Sequence, residues 1–125
     1  MSDDTPAQAA AFSDGLFDLV RAGRTGAVLD QVDSGVPVDL ADAQGSTLLT
    51  LAAYYGHADL VAGLAERGAD VDRVSGRGQT PLAGAVFKQH DEVIRVLLAA
   101  GADRDAGAPS ARETAEMFGR ALPAD

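Results

Sequence analysis

Residues 47–70 read TLLTLAAYYGHADLVAGLAERGAD, and residues 80–103 read TPLAGAVFKQHDEVIRVLLAAGAD. Set one above the other, they agree at a fixed offset of 33. Thr47 meets Thr80, Leu49 meets Leu82, Ala52 meets Ala85, His57 meets His90, Val61 meets Ile94 and Leu64 meets Leu97. Gly68-Ala69-Asp70 recurs as Gly101-Ala102-Asp103. Working outward, Val28, Gly35 and Asp39 join the same register, and Asp72 and Asp105 continue it. Agreement at so many positions and one spacing marks an internal repeat, which has to be recognised before any single segment is read.

Local chemistry says what each unit is. Thr47 and Thr80 stand where a helix N-cap belongs, and Pro81 suits the first helical position. A short inner helix is expected near Leu48–Tyr55 and again near Pro81–Lys88, with Leu49, Ala52 and Ala53 on one face. Gly56 ends the first by a left-handed C-cap. Second helices are expected near Ala58–Arg67 and Asp91–Ala100, with Leu60, Val61 and Leu64 in one apolar stripe and Val93, Ile94, Leu97 and Leu98 in the other. Gly76 and Gly78 mark a hairpin-like turn within Asp70–Gly78. No such helix is stable alone in water, so the units must stack to bury their apolar faces, as in a solenoid. Gly63 sits inside a helix at a cost of about 1 kcal/mol relative to Ala, and the sequence gives no reason for it.

These residues closely resemble the ankyrin repeat. The family pattern is a Thr-Pro-Leu-His start, an Ala-Ala core, a Gly-His turn, a Val/Ile-Val stripe, a Leu-Leu pair and a Gly-Ala-Asp close. The chain answers with Thr47-Leu48-Leu49-Thr50, Ala52-Ala53, Gly56-His57, Leu60-Val61 and Gly68-Ala69-Asp70, then with Thr80-Pro81-Leu82-Ala83, Gln89-His90, Val93-Ile94, Leu97-Leu98 and Gly101-Ala102-Asp103. It departs at Leu48 (for Pro), at Thr50 and Ala83 (for His) and at Gln89 (for Gly). With partial flanking units the resemblance spans roughly residues 12–120.

An all-α ankyrin-repeat solenoid of stacked helix-turn-helix units with hairpin loops is therefore expected, as one domain over residues 1–125. Residues 1–40 read as an N-terminal extension and capping repeat, 41–73 and 74–106 as full repeats, and 107–125 as a truncated C-terminal cap. In the first unit Leu16, Leu19 and Val20 carry the inner helix; before it Thr5-Pro6 reads as a helix start, with Ala9 and Phe12 on the apolar side. In the last unit, matching Gly119-Arg120 to Gly56-His57 shortens the preceding loop by three residues, which puts Ser110 in the Thr place and Arg112 in the Leu place.

Composition bounds the function. The formal net charge is −9 over 125 residues. That argues against nucleic acid, whose binding begins with phosphate neutralisation, and against an anionic membrane surface. Residues 1–40 carry seven acids and two bases, a net of −5; residues 74–106 carry four of each. The plain reading of the acidity is solubility. There is no cysteine, so disulfides and thiol chemistry are excluded. The Met1-Ser2-Asp3-Asp4 start reads as no secretory signal, and no apolar run approaches the roughly 20 residues of a membrane span. A cytoplasmic protein, monomeric when free, is expected.

Chemistry is sparse. His57 and His90 stand one repeat apart, and packed helices lie about 8–10 Å from one another, whereas two ligands of one Zn²⁺ sit within about 4 Å. The resemblance makes them structural hydrogen-bonders instead. His57 with Asp59 and His90 with Glu92 are spaced i, i+2, which does not bring helical side chains face to face. No nucleophile elbow and no phosphate-cradling loop is present, and the repeated pairs Asp70/Asp72 and Asp103/Asp105 suit a scaffold. No catalytic, cofactor or metal site is expected, and no enzyme activity.

What remains is a surface. The resemblance implies a concave face made of loop tips and two exposed rows near the ends of the inner helices. Those rows are Arg21, Tyr54, Phe87, Met117 and Ala22, Tyr55, Lys88, Phe118; the tips supply Ala43, Gln44, Ser46, Arg73, Arg77 and Gln79. Four of the six aromatics in the chain fall on the rows, and aromatics with Arg dominate interface energetics. The expected function is protein binding, as an adaptor or regulator, by Arg21, Tyr54, Tyr55, Arg73, Arg77, Phe87, Lys88, Met117 and Phe118. The expected partner is a protein with an apolar spot flanked by acidic groups that meet Arg73 and Arg77. A chaperone-like subunit for one client enzyme is the alternative. Phe118 reads equally as cap core or as surface.

Overall fold

The computed structural model describes residues 15–123. Among these described residues seven helices follow in order: α1 (15–21), α2 (Thr25–Asp33), α3 (Leu48–Tyr54), α4 (Ala58–Glu66), α5 (Pro81–Lys88), α6 (Asp91–Ala99) and α7 (Ala111–Met117). The expected helix start at Thr5-Pro6, with Ala9 and Phe12, lies outside the described residues. The 33-residue period thus appears as helix pairs, with α7 as the inner helix of a last unit.

Hydroxyl caps start the inner helices. Thr47 Oγ1 accepts from the Thr50 N–H at 3.1 Å, and Thr80 Oγ1 accepts from the Ala83 N–H at 3.1 Å. Ser110 and Glu113 form a reciprocal capping box at α7, so the shortened register puts the cap where the sequence places it. These three inner helices end in one hydrogen-bond pattern, in which an N–H just past the helix reaches back five residues: His57 to Ala52 O, His90 to Ala85 O and Arg120 to Ala115 O, all at 2.9 Å. The residue immediately before that N–H adopts positive φ: Gly56 at 81°, Gln89 at 59° and Gly119 at 67°.

Inner helices α3, α5 and α7 pack in one layer, and α2, α4 and α6 in a second; α3 with α4 and α5 with α6 join the layers. Leu48, Leu49, Leu82, Leu60, Leu64 and Leu97 are fully buried between them. Burying each such side chain stabilises by about 1.5–3 kcal/mol. Ala52, Ala53, Ala83 and Ala85 are also buried, which lets the inner helices approach closely. Phe17, which the repeat pattern does not single out, joins Leu16 and Val20 in the core. The contact between α2 and α4 explains Gly63: a Cβ there would stand 2.5 Å from Leu29 Cδ1, inside van der Waals contact.

The loops stack as well. The Gly76 N–H donates to Gln44 O and the Ala108 N–H to Gly78 O, both at 2.9 Å, so each hairpin is bonded to the next. Beneath them runs a carboxylate ladder. Asp39 accepts from the Asp70 N–H at 2.9 Å and Asp72 from the Asp103 N–H at 2.7 Å, while Asp70 and Asp103 accept from the N–H groups of Asp72 and Asp105. The recurring aspartates therefore satisfy backbone donors across unit boundaries.

Candidate functional site

An open groove of about 260 Å³ lies between the hairpin tips and the inner helices. Helix ends and hairpin tips supply its walls because the same period places both on one side of every unit. Arg21 comes from α1, Tyr54 and Tyr55 from the end of α3, and Gln44, Ser46, Arg77 and Gln79 from two successive hairpins. Asp42, Thr50, Leu51 and Ser75 complete it.

Tyr54 is held at both ends by the unit that follows. The His90 ring Nε2 bonds to Tyr54 O at 3.1 Å, and Lys88 Nζ stands 5.2 Å from the Tyr54 ring centroid. His57 makes the equivalent bond to Arg21 O at 2.7 Å. With a carbonyl as acceptor, Nε2 must be the protonated nitrogen in both. The ring of His57 packs on Gly23 and that of His90 on Gly56, where a Cβ would come within 2.6 Å and 2.9 Å of the imidazole. The two histidines therefore fasten neighbouring units and fix the helix ends that display the groove side chains.

Tyr55 lies edge-on to Tyr54 at 5.6 Å and is 46% exposed. Tyr54 itself is half-buried. One unit further on, Phe87 and Phe118 form a second edge-on pair at 5.9 Å; they are 48% and 41% exposed, beside Met117 at 66%. Phe118 is thus surface, packed against a surface neighbour. Lys88, next to Phe87 in the chain, is exposed and lies over the Tyr54 ring.

The positive groups divide unequally. Arg77 is exposed at a hairpin tip and lines the groove. Arg73 is exposed too, but in the stretch before the hairpin, and does not line it. Arg21 lines it with its guanidinium turned to Asp18 at 3.0 Å. The stronger ion pairs sit elsewhere. Hydrogen bonds from Arg67, Arg120 and Arg112 hold the carboxyls of Asp33, Asp91 and Asp105 below the usual carboxylate range.

Nine residues were expected at the site. Four of them, Arg21, Tyr54, Tyr55 and Arg77, converge on the groove; Phe87, Lys88, Met117 and Phe118 gather beside it, and Arg73 falls outside. Pattern reading passed over Asp42, whose carboxylate accepts from the Gln44 and Ser46 N–H groups at 3.0 and 2.9 Å and so shapes the hairpin that forms the rim. The Asp42-Ala43-Gln44-Gly45 stretch carries that signal, an aspartate opening a turn that closes on glycine. Exposed Val74 was also passed over, and no pattern marks it.

The family model described as ankyrin repeats (3 copies) matches residues 16–107. Over 46 residues the chain is 44% identical to a Pseudomonas aeruginosa protein named as an ankyrin repeat protein. That stretch is 37% of this chain and 27% of the relative, so the chain spans about a quarter of the length of the curated protein it matches. Among the described residues no helix is long and apolar enough to cross a membrane.

Proposed function

Because the chain belongs to the ankyrin-repeat family, we propose that it acts as an adaptor or regulator in the cytoplasm, monomeric when free, and holds a partner protein in the groove between its hairpin tips and inner helices. Ankyrin repeats are in general protein-interaction modules. The observation that carries the reading for this chain is the collection of exposed aromatic side chains on one face. Tyr55, Phe87 and Phe118 are each more than two-fifths exposed and lie in two edge-on pairs, with Lys88 over the ring of Tyr54. Exposed apolar clusters of this kind mark interaction surfaces. Aromatic and Arg side chains supply most binding energy when a partner excludes water from them.

The test is capture from native cytosol by the wild-type chain and by a Tyr54→Ala/Tyr55→Ala/Phe87→Ala variant whose helicity matches by circular dichroism. The reading expects a partner that the wild type retains and the variant loses. Equal capture by both would move the interaction to the outer helices or the acidic N-terminal part.

A further inference from the structure

Resting on that reading, we propose that the segment bound in the groove is extended and acidic, with one carboxylate on Arg77 and a bulky apolar side chain against Tyr54 and Tyr55. Charge carries the argument. Arg21, Arg67, Arg95, Arg112 and Arg120 each pair with a carboxylate within the chain. Arg77 forms no ion pair among the described residues, although the chain carries nineteen acids to ten bases. Its hairpin is fixed by backbone bonds, Ser75 to Gln79 and Gly78 to Ser75, both at 2.9 Å, so the guanidinium is presented from a rigid tip.

The rest of the groove suits an extended backbone. Gln44, Ser46, Ser75 and Gln79 offer amide and hydroxyl groups along its rim, able to meet peptide N–H and C=O groups. Asp42 is the one acid in this wall, and its Oδ1 is held by the hairpin N–H groups. Lys88 on the Tyr54 ring adds positive potential at the far end. A basic segment would meet Arg21, Arg77 and Lys88 against the single carboxylate of Asp42.

Three fluorescein-labelled nine-residue peptides test this by anisotropy: a central Leu-Phe pair flanked by glutamates, the same pair flanked by lysines, and glutamates flanking two alanines. The wild type should bind the first about tenfold tighter than either other. Arg77→Glu should remove that preference or turn it toward the lysine peptide. Arg73→Glu makes the same change in net charge outside the groove and should shift binding less than about threefold. Equal binding of all three peptides, no binding of any, or equal effects of the two substitutions would overturn the proposal. If the peptides fail while the aromatic triple variant still loses its captured partner, the partner chemistry is wrong and the protein-binding reading stands.

Discussion

The junction between α5 and α7 differs from the two before it, and that difference gives a quantitative test of how the units are fastened. After α1 and α3, a glycine at positive φ accepts the imidazole of the next unit, and that histidine bonds back to the end of the preceding inner helix. After α5 neither partner is present. Gln89 holds the left-handed position at φ 59°, and Arg120 stands in the histidine place with its guanidinium on Asp91 at 2.6 Å. The backbone around Arg120 nevertheless repeats that of His57 and His90, down to the 2.9 Å bond from its N–H. Arg120→His would therefore bring an imidazole toward Phe87 O, the counterpart of Tyr54 O. The Cβ of Gln89 blocks the place where the ring would sit. Arg120→His alone should gain nothing. Gln89→Gly alone should stabilise by about 0.5–1 kcal/mol, since relief of about 1–2 kcal/mol of left-handed strain is only partly offset by about 0.5–1 kcal/mol of added unfolded-state freedom. Together they allow one interhelix hydrogen bond, a coupling of about 1 kcal/mol, or about 3–6 °C in Tm for a chain of this length. Loss of the Arg120–Asp91 pair occurs with and without Gln89→Gly and cancels in the cycle. Urea unfolding of the four proteins measures the coupling; additivity within about 0.3 kcal/mol would refute the clamp as the fastening device.

Two further expectations follow from packing and charge. Gly84→Ala should stabilise by about 1 kcal/mol in urea unfolding, because the new Cβ meets Gln79 Oε1 at 3.4 Å and Tyr54 Cδ1 at 3.6 Å, both ordinary contacts. Gly63→Ala should gain less than Gly84→Ala, because the half-buried Leu29 side chain must turn aside to admit the new Cβ; equal gains would contradict this account of the α2–α4 contact. Asp33, Asp91 and Asp105 titrate below their unfolded values, mainly through hydrogen bonds from Arg67, Arg120 and Arg112. Their contribution should be complete above about pH 5, where the unfolded carboxyls are ionised too, and lost as pH falls through the folded values, because the unfolded chain then binds more protons. The urea midpoint should fall between pH 5 and pH 3, and Asp33→Asn should flatten that limb; a slope unchanged by the substitution would remove Asp33 from it.

The period of 33, the hydroxyl caps at Thr47, Thr80 and Ser110, and the shortened last unit were legible in the sequence. Each depends on residues a few positions apart, and helix capping and apolar spacing act over that range. The exposure of Tyr55, Phe87 and Phe118 was legible too, because a repeat fixes which positions face outward, whereas Tyr54 is half-buried. The tertiary structure alone decided which side chains meet. Arg73 and Arg77 are four residues apart in one loop with the same chemistry, yet the stacking of one hairpin on the next puts Arg77 in the groove wall and leaves Arg73 outside it. Gly63 is explained only by Leu29 on another helix, and Asp39 and Asp72 only by N–H groups 31 residues further on. These contacts depend on how closely and at what offset the units settle against one another. That is set by the summed packing of the whole stack, which no local pattern contains.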